Sequence, residues 1–154
     1  MTLKEKIEAE IKKAMLAKDK TRLQALRSIK AQILLAETEK GATGEGLSPE
    51  AEMKLLNKAA KQRRESAEVY RTQYRTDLEE IELGELAVIE EYLPAQLDEG
   101  DLRIRLLEII QRVGALGPSD IGRVMGVASK ELSGQADGKT ISTVVSQMLN
   151  NPNA

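Results

Sequence analysis

Leu3, Ile7, Ile11 and Ala14 recur at steps of three and four, and the same spacing restarts after each break until Leu149. A period near 3.6 places such side chains on one face of an α-helix; a strand would need alternation at every second residue. The chain that carries this pattern has no Phe and no Trp, and Tyr70, Tyr74 and Tyr92 are its only aromatic residues. Its interior is therefore filled by Leu, Ile, Val, Ala and Met, which suits helix packed on helix. β-branched and aromatic runs, the usual strand signal, are scarce. The expected fold class is all-α.

The breaks divide the pattern into seven segments. Thr2 and Glu5 have capping-box spacing, which starts a first helix that runs to about Ala17. Asp19 can cap a second, to about Lys40, with Leu23, Leu26, Ile29 and Ile33 facing inward. The short connection makes these two an antiparallel hairpin. Gly41, Gly44 and Gly46 then read as a surface loop. Ser48 and Pro49 are the cap and first residue of a third, long helix to about Arg75, with Leu56, Ala60, Arg63, Ala67, Tyr70 and Tyr74 on one face. A fourth covers Leu78 to Leu93, with Leu78, Ile81, Leu86, Ile89, Tyr92 and Leu93 on its apolar side. Pro94 ends it, because the residue before a proline is pushed out of the helical region. The main boundary falls here. Residues 1–93 form an N-terminal helical region, a hairpin followed by long helices. Residues 94–154 form a module of three short helices, opened by Asp98 and Asp101, by Gly117-Pro118, and by Asp137.

The chain has no cysteine and no histidine. Disulfides, thiolate metal sites, cysteine nucleophiles and imidazole bases are thereby excluded. No catalytic residue, metal ligand set or cofactor is assigned. The opening residues are charged where a secretion signal would be apolar, and no run approaches the ~18 apolar residues of a membrane span. These features point to a cytoplasmic protein that does not enter a membrane. The net charge is −2, unevenly spread: residues 1–40 carry +4, residues 81–100 carry −6, and residues 101–154 carry +1. A weakly acidic total argues against duplex DNA as a partner.

Several motifs invite chemistry. Gly138-Lys139-Thr140 ends like a phosphate loop, but Gly134 and Gly138 enclose three residues instead of four, and no strand precedes them. Glu85, Glu90 and Glu91 lack the histidine that completes a carboxylate metal site in a helix bundle. Lys61, Arg63 and Arg64 form a basic run that suits either a solvated face or phosphate contact, and Arg63 can instead pair with an acid of the next helix. Gly122 and Gly126 lie four apart on one helix and cost it roughly 1.6–2 kcal/mol relative to alanine. Either tight packing or a contact surface must offset that cost. Three tyrosines, two of them on the inward stripe, make a poor stacking platform for bases.

Four segments in order make the chain resemble the YqeY-like proteins of bacteria: Met15-Leu16-Ala17-Lys18-Asp19-Lys20 with Arg22, Leu23, Leu26 and Arg27; Lys61-Gln62-Arg63-Arg64-Glu65-Ser66; Glu91-Tyr92-Leu93-Pro94-Ala95-Gln96-Leu97; and Ile121-Gly122-Arg123-Val124-Met125-Gly126 followed by Ala136-Asp137-Gly138. That family is related to the tail domain of the B subunit (GatB) of glutamyl/aspartyl-tRNA amidotransferase. The resemblance implies an N-terminal helical region and a three-helix tail module. It implies association with tRNA, or with a tRNA-linked assembly, through Gly122, Arg123, Gly126, Lys130 and Lys139, with Lys61, Arg63 and Arg64 as secondary candidates. Its carbon–nitrogen ligase activity, with glutamine as amide donor, belongs to the larger enzyme, so the chain is not expected to be an enzyme on its own. Where the family commonly carries basic residues before Ala136, this chain has Ser133 and Gln135. That departure favours the alternative, a protein–protein interaction module with no RNA role.

Overall fold

The computed structural model describes residues 1–39 and 46–150. Among these residues the chain forms seven α-helices and no strand: α1 (Leu3–Ala17), α2 (Lys20–Glu39), α3 (Pro49–Thr72), α4 (Thr76–Glu90), α5 (Glu99–Val113), α6 (Ile121–Glu131) and α7 (Gly138–Asn150). The protein is all-α. The loop expected over residues 41–46 lies, apart from Gly46, outside the described residues. Internal contacts gather into two compact units, Met1–Leu93 and Pro94–Ala154.

In the first unit, α2 packs against α1, α3 and α4, and α3 lies along α4. Ile7, Leu26, Ile29, Ile33, Leu56 and Ile89 are the buried centre. Ala25, Ala59 and Ala60 are buried among them, and their small side chains let the helices approach closely. The caps follow the sequence. The Glu5 amide donates to Thr2 Oγ1 at 3.2 Å and the Thr2 amide to Glu5 Oε2 at 3.4 Å, which completes a capping box. The Arg22 amide donates to Asp19 Oδ1 at 3.1 Å, and the Ala51 amide to Ser48 Oγ at 3.1 Å.

Helix ends explain where the expected boundaries shift. α3 stops at Thr72, short of Arg75, because Tyr74 takes a left-handed conformation (φ 57°) while the Arg75 amide donates back to the Tyr70 carbonyl at 2.9 Å. This is the Schellman closure, usually made by glycine. α1 ends the same way at Lys18 (φ 56°), with the Asp19 amide on the Ala14 carbonyl; α5 uses a glycine, Gly114 (φ 71°). Tyr74 is consequently 93% exposed instead of on the inward stripe. α4 begins earlier than expected, at Thr76, and ends at Glu90. Ile81 sits at the edge of its inner face and is largely exposed, another departure from the stripe read from sequence.

In the second unit, Leu102, Leu106 and Ile109 of α5 meet Val124 and Ala128 of α6, Leu132, and Ile141 and Val145 of α7 in a separate core. Asp98 caps α5 by accepting from the Asp101 amide at 2.8 Å. Gly117-Pro118 opens a 3-10 turn, Pro118–Asp120, before α6 begins. Asp137 stands at the cap position of α7, its carbonyl accepting the Ile141 amide. Gly134 is buried at φ 79°, a region open to glycine and costly for other residues. Its carbonyl accepts from Gln96 Nε2 at 2.6 Å, and the Leu97 amide donates to the Gln135 carbonyl at 2.9 Å. The segment after Pro94 thus ties down the loop that leads into α7.

Candidate nucleic-acid interface

α6 has a strongly divided surface. Val124 and Ala128, with Leu132 just beyond, are buried, and Ile121 and Met125 are half-buried beside them. At 3.6 residues per turn the opposite face carries Gly122, Gly126 and Ser129, with Arg123 and Lys130 along one edge. All five are exposed. A Cβ built on Gly122 or Gly126 meets nothing within 4 Å. Among the described residues, no neighbouring helix occupies the space in front of them, so tight packing does not explain this glycine pair there.

The cations near this face differ in freedom. Arg123 Nη2 donates to Asp120 Oδ1 at 3.1 Å, and Asp120 also accepts from the Leu116 amide at 2.9 Å. The Leu116 amide, then that of Gly117 and the Arg123 guanidinium, hold the Asp120 carboxyl below its ordinary range. The Arg123 pair is exposed, and exposed pairs are worth about 0–1 kcal/mol, so an incoming phosphate can compete for the guanidinium. Among the described residues Lys130 has no ion-pair partner. Lys139 has none either, but it stands on α7, exposed in that helix's first turn.

Two of the secondary candidates, Arg63 and Arg64, are engaged in holding the first unit together. Arg63 Nε lies 2.6 Å from Glu85 Oε2 and 3.9 Å from Glu82 Oε2, and its Nη2 donates to Ser28 Oγ at 2.8 Å. The Arg63 and Glu85 side chains are only 16% and 11% exposed. Nε is buried and its contact with Glu85 lies off the hydrogen-bond direction, so this is an ion pair by proximity. Burial, then the adjacent Glu85, pushes the Glu82 carboxyl up, and Arg63 opposes the shift. Arg63 thus pairs with acids of α4, as its place on an inward stripe suggested. Arg64 lies 3.6 Å from Glu90, and Lys61 lies 4.0 Å from Glu65 on the surface.

Two further features were not read from the sequence. Arg22 Nη1 donates to Glu91 at 2.6 Å and its Nη2 to Glu10 at 3.2 Å, joining α1, α2 and the end of α4. On the second unit, a groove of about 1210 Å³ is lined by Ile104, Leu107, Leu116, Ser142, Ser146 and Gln147, among others, and Arg103 is the one ionisable side chain among its described lining residues. Leu116 is 88% exposed there. The available signal was Ile104 and Leu107, apolar residues that fall off the inward stripe of Leu102, Leu106 and Ile109. Among the described residues no three acidic side chains converge in a way that would hold a metal ion, and no helix is long and apolar enough to cross a membrane.

Comparison with known proteins places the chain. The family model described as YqeY-like protein matches residues 4–149. The chain is 33% identical over 131 residues to a protein of Clavispora lusitaniae named altered inheritance of mitochondria protein 41, mitochondrial, a match covering 82% of this chain and 72% of that one. The family match spans both helical units and all four of the segments that carry the resemblance, and on that evidence the chain belongs to the YqeY-like family.

Proposed function

We propose that the second unit is a non-catalytic binding module that contacts the backbone of tRNA, alone or in a tRNA-linked assembly, through the outer face of α6. The observation that carries this reading is the open space in front of Gly122 and Gly126. Gly126, in the interior of an eleven-residue helix, costs roughly 0.8–1 kcal/mol, and Gly122, in its first turn, adds a smaller cost. Among the described residues nothing packs against them to offset that cost. A ligand backbone that lies against the helix does, because a Cβ would hold it away. Arg123 and Lys130 border the strip and supply phosphate contacts; Lys139 adds a third charge from α7. A small count of cations gives a shallow salt dependence, since each phosphate neutralised contributes about one to the slope. The relation to the amidotransferase tail, implied by the family resemblance, supports tRNA over other RNA. On this reading the carbon–nitrogen ligase activity resides in the larger enzyme.

Titration of bulk tRNA at low and at moderate salt tests the proposal. Binding at low salt that weakens several-fold in Lys130→Ala supports it. Absence of binding at low salt, where phosphate contacts are strongest, refutes it.

A second reading is favoured by a different observation, the apolar groove between α5 and α7. Its lining of Ile104, Leu107 and Leu116 with one cation suits a protein segment better than a nucleic acid. An RNase-resistant partner recovered by pull-down, and released by Leu107→Glu, supports that reading over the first.

A further inference from the structure

The segment Met15 to Lys20 is part of the family resemblance, and the proposed RNA contact makes no use of it. Leu16 is 86% exposed and Met15 is 53% exposed at the end of α1. Leu16 lies on the side of α1 opposite Ile7 and Ala14, with Lys12 one turn before it and Lys13 beside it. Lys18 and Lys20 follow across the turn, and all four lysines are exposed. The acids nearby are occupied: Asp19 caps α2 through the Arg22 amide, and Glu10 is held by Lys13 and Arg22. The turn is rigid. The Asp19 amide donates to the Ala14 carbonyl at 3.0 Å and the Leu23 amide to the Asp19 carbonyl at 3.0 Å. It is an aliphatic knob ringed by positive charge, with little ordering cost left to meet on binding.

α4 presents the opposite. Glu80, Leu83, Ala87 and Glu91 are exposed at steps of three and four, so an aliphatic pair is bracketed by carboxylates. Leu83 is 46% exposed. No basic residue occurs between Arg75 and Arg103. Among the described residues neither Glu79 nor Glu80 has an ion-pair partner.

The two features border one another. A Cβ on Gly84 would lie 3.6 Å from Thr21 Cγ2, and Arg22 reaches Glu91, so the start of α2 runs beside this part of α4. A surface with a basic aliphatic half next to an acidic aliphatic half is self-complementary. A two-fold axis at their junction sets each half of one molecule on the opposite half of another. We infer that this surface of the first unit docks a second copy of the chain, with Leu16 of each molecule seated against Leu83 and Ala87 of the other. Charge complementarity fixes the register. The inference is independent of the α6 reading and survives or fails without it.

Sedimentation equilibrium of the whole chain, at low and high ionic strength, provides the test. The Debye length shrinks from about 10 Å at 0.1 M to about 3 Å at 1 M, so a dimer at low salt is expected to weaken as salt rises. Lys18→Glu with Lys20→Glu places carboxylates against carboxylates in both halves. Glu79→Lys with Glu80→Lys places lysines against lysines. Each double variant alone is expected to self-associate at least tenfold more weakly, with an unchanged far-UV spectrum. An equimolar mixture of the two pairs opposite charges in both halves and is expected to recover the dimer. Leu16→Asp is expected to lose it. A chain monomeric at millimolar concentration in low salt overturns the inference, as does self-association that persists in Leu16→Asp or a mixture that associates no better than its components.

Discussion

Arg63 and Arg123 belong to two segments that carry the family resemblance equally, but they work in different ways. Arg63 is enclosed by Ser28, Glu82 and Glu85 and joins three helices of the first unit. Arg123 lies exposed beside two glycines with open space before them and holds one carboxylate of its own turn. A recurring charge can therefore mark either a fastening inside the fold or a surface that faces outward. The surroundings decide which. In the first unit the motif charges Arg22, Arg63 and Arg64 all close on carboxylates of neighbouring helices. In the second, the corresponding motif leaves the outer face of α6 without a packing partner among the described residues.

The strongest way to break this comparison is to remove Arg63. Arg63→Met leaves the nearly buried Glu85 without this cation, and the first unit should lose about 3 kcal/mol in a urea melt, the low end for a buried pair because both side chains keep some exposure. Arg63→Met with Glu85→Leu should recover most of that loss, since a buried pair replaced as a whole by apolar residues is close to neutral. Neither variant should alter tRNA binding by the molecules that remain folded. A binding defect there would move the functional surface into the first unit.

Gly122→Ala and Gly126→Ala should have the reverse sign. Each methyl enters open space; Gly126→Ala, inside the helix, should stabilise the second unit by about 0.8–1 kcal/mol, and Gly122→Ala, in its first turn, by less. A destabilisation in the thermal melt would mean that the glycines have a structural role the packing does not reveal. Tyr74→Gly relieves a left-handed residue at the end of α3 and should stabilise the first unit by about 0.5–1 kcal/mol, because relief of strain exceeds the added freedom of the unfolded chain.

The smallest effect concerns acid. Hydrogen bonds from Arg112 hold the Glu131 carboxyl below its ordinary value, and the Leu116 amide does most to lower Asp120. A lowered carboxylate stabilises the fold above its unfolded pKa, and that contribution is lost as pH falls through the folded-state value. Glu131→Gln should therefore flatten the acid limb of the second unit's stability by lowering it slightly at neutral pH, with little change at low pH.

Much of this architecture was legible because helical spacing, caps and Pro94 are local signals. The capping box at Thr2 and the caps at Ser48, Asp19 and Asp98 need only neighbouring residues, and each forms in the structure. Less was legible where a helix could end in more than one way. Tyr74 and Lys18 occupy left-handed positions that sequence would reserve for glycine, and the early stop of α3 turned Tyr74 outward. For the candidate site, the spacing of Gly122 and Gly126 was visible but its meaning was not. Packing and contact surface predict the same residues and differ only in what stands in front of them. Gln96, which reaches across the fold to the Gly134 carbonyl, had no local signature.

On the proposed reading, the bare face of α6 receives the backbone of a partner. Gly122→Gln with Gly126→Gln tests it most directly, since both side chains project into open space and leave the core untouched. Titrated with bulk tRNA at low salt, the variant should bind at least tenfold more weakly than the parent chain while melting at the same or a higher temperature. Equal affinity of the two chains would contradict the account.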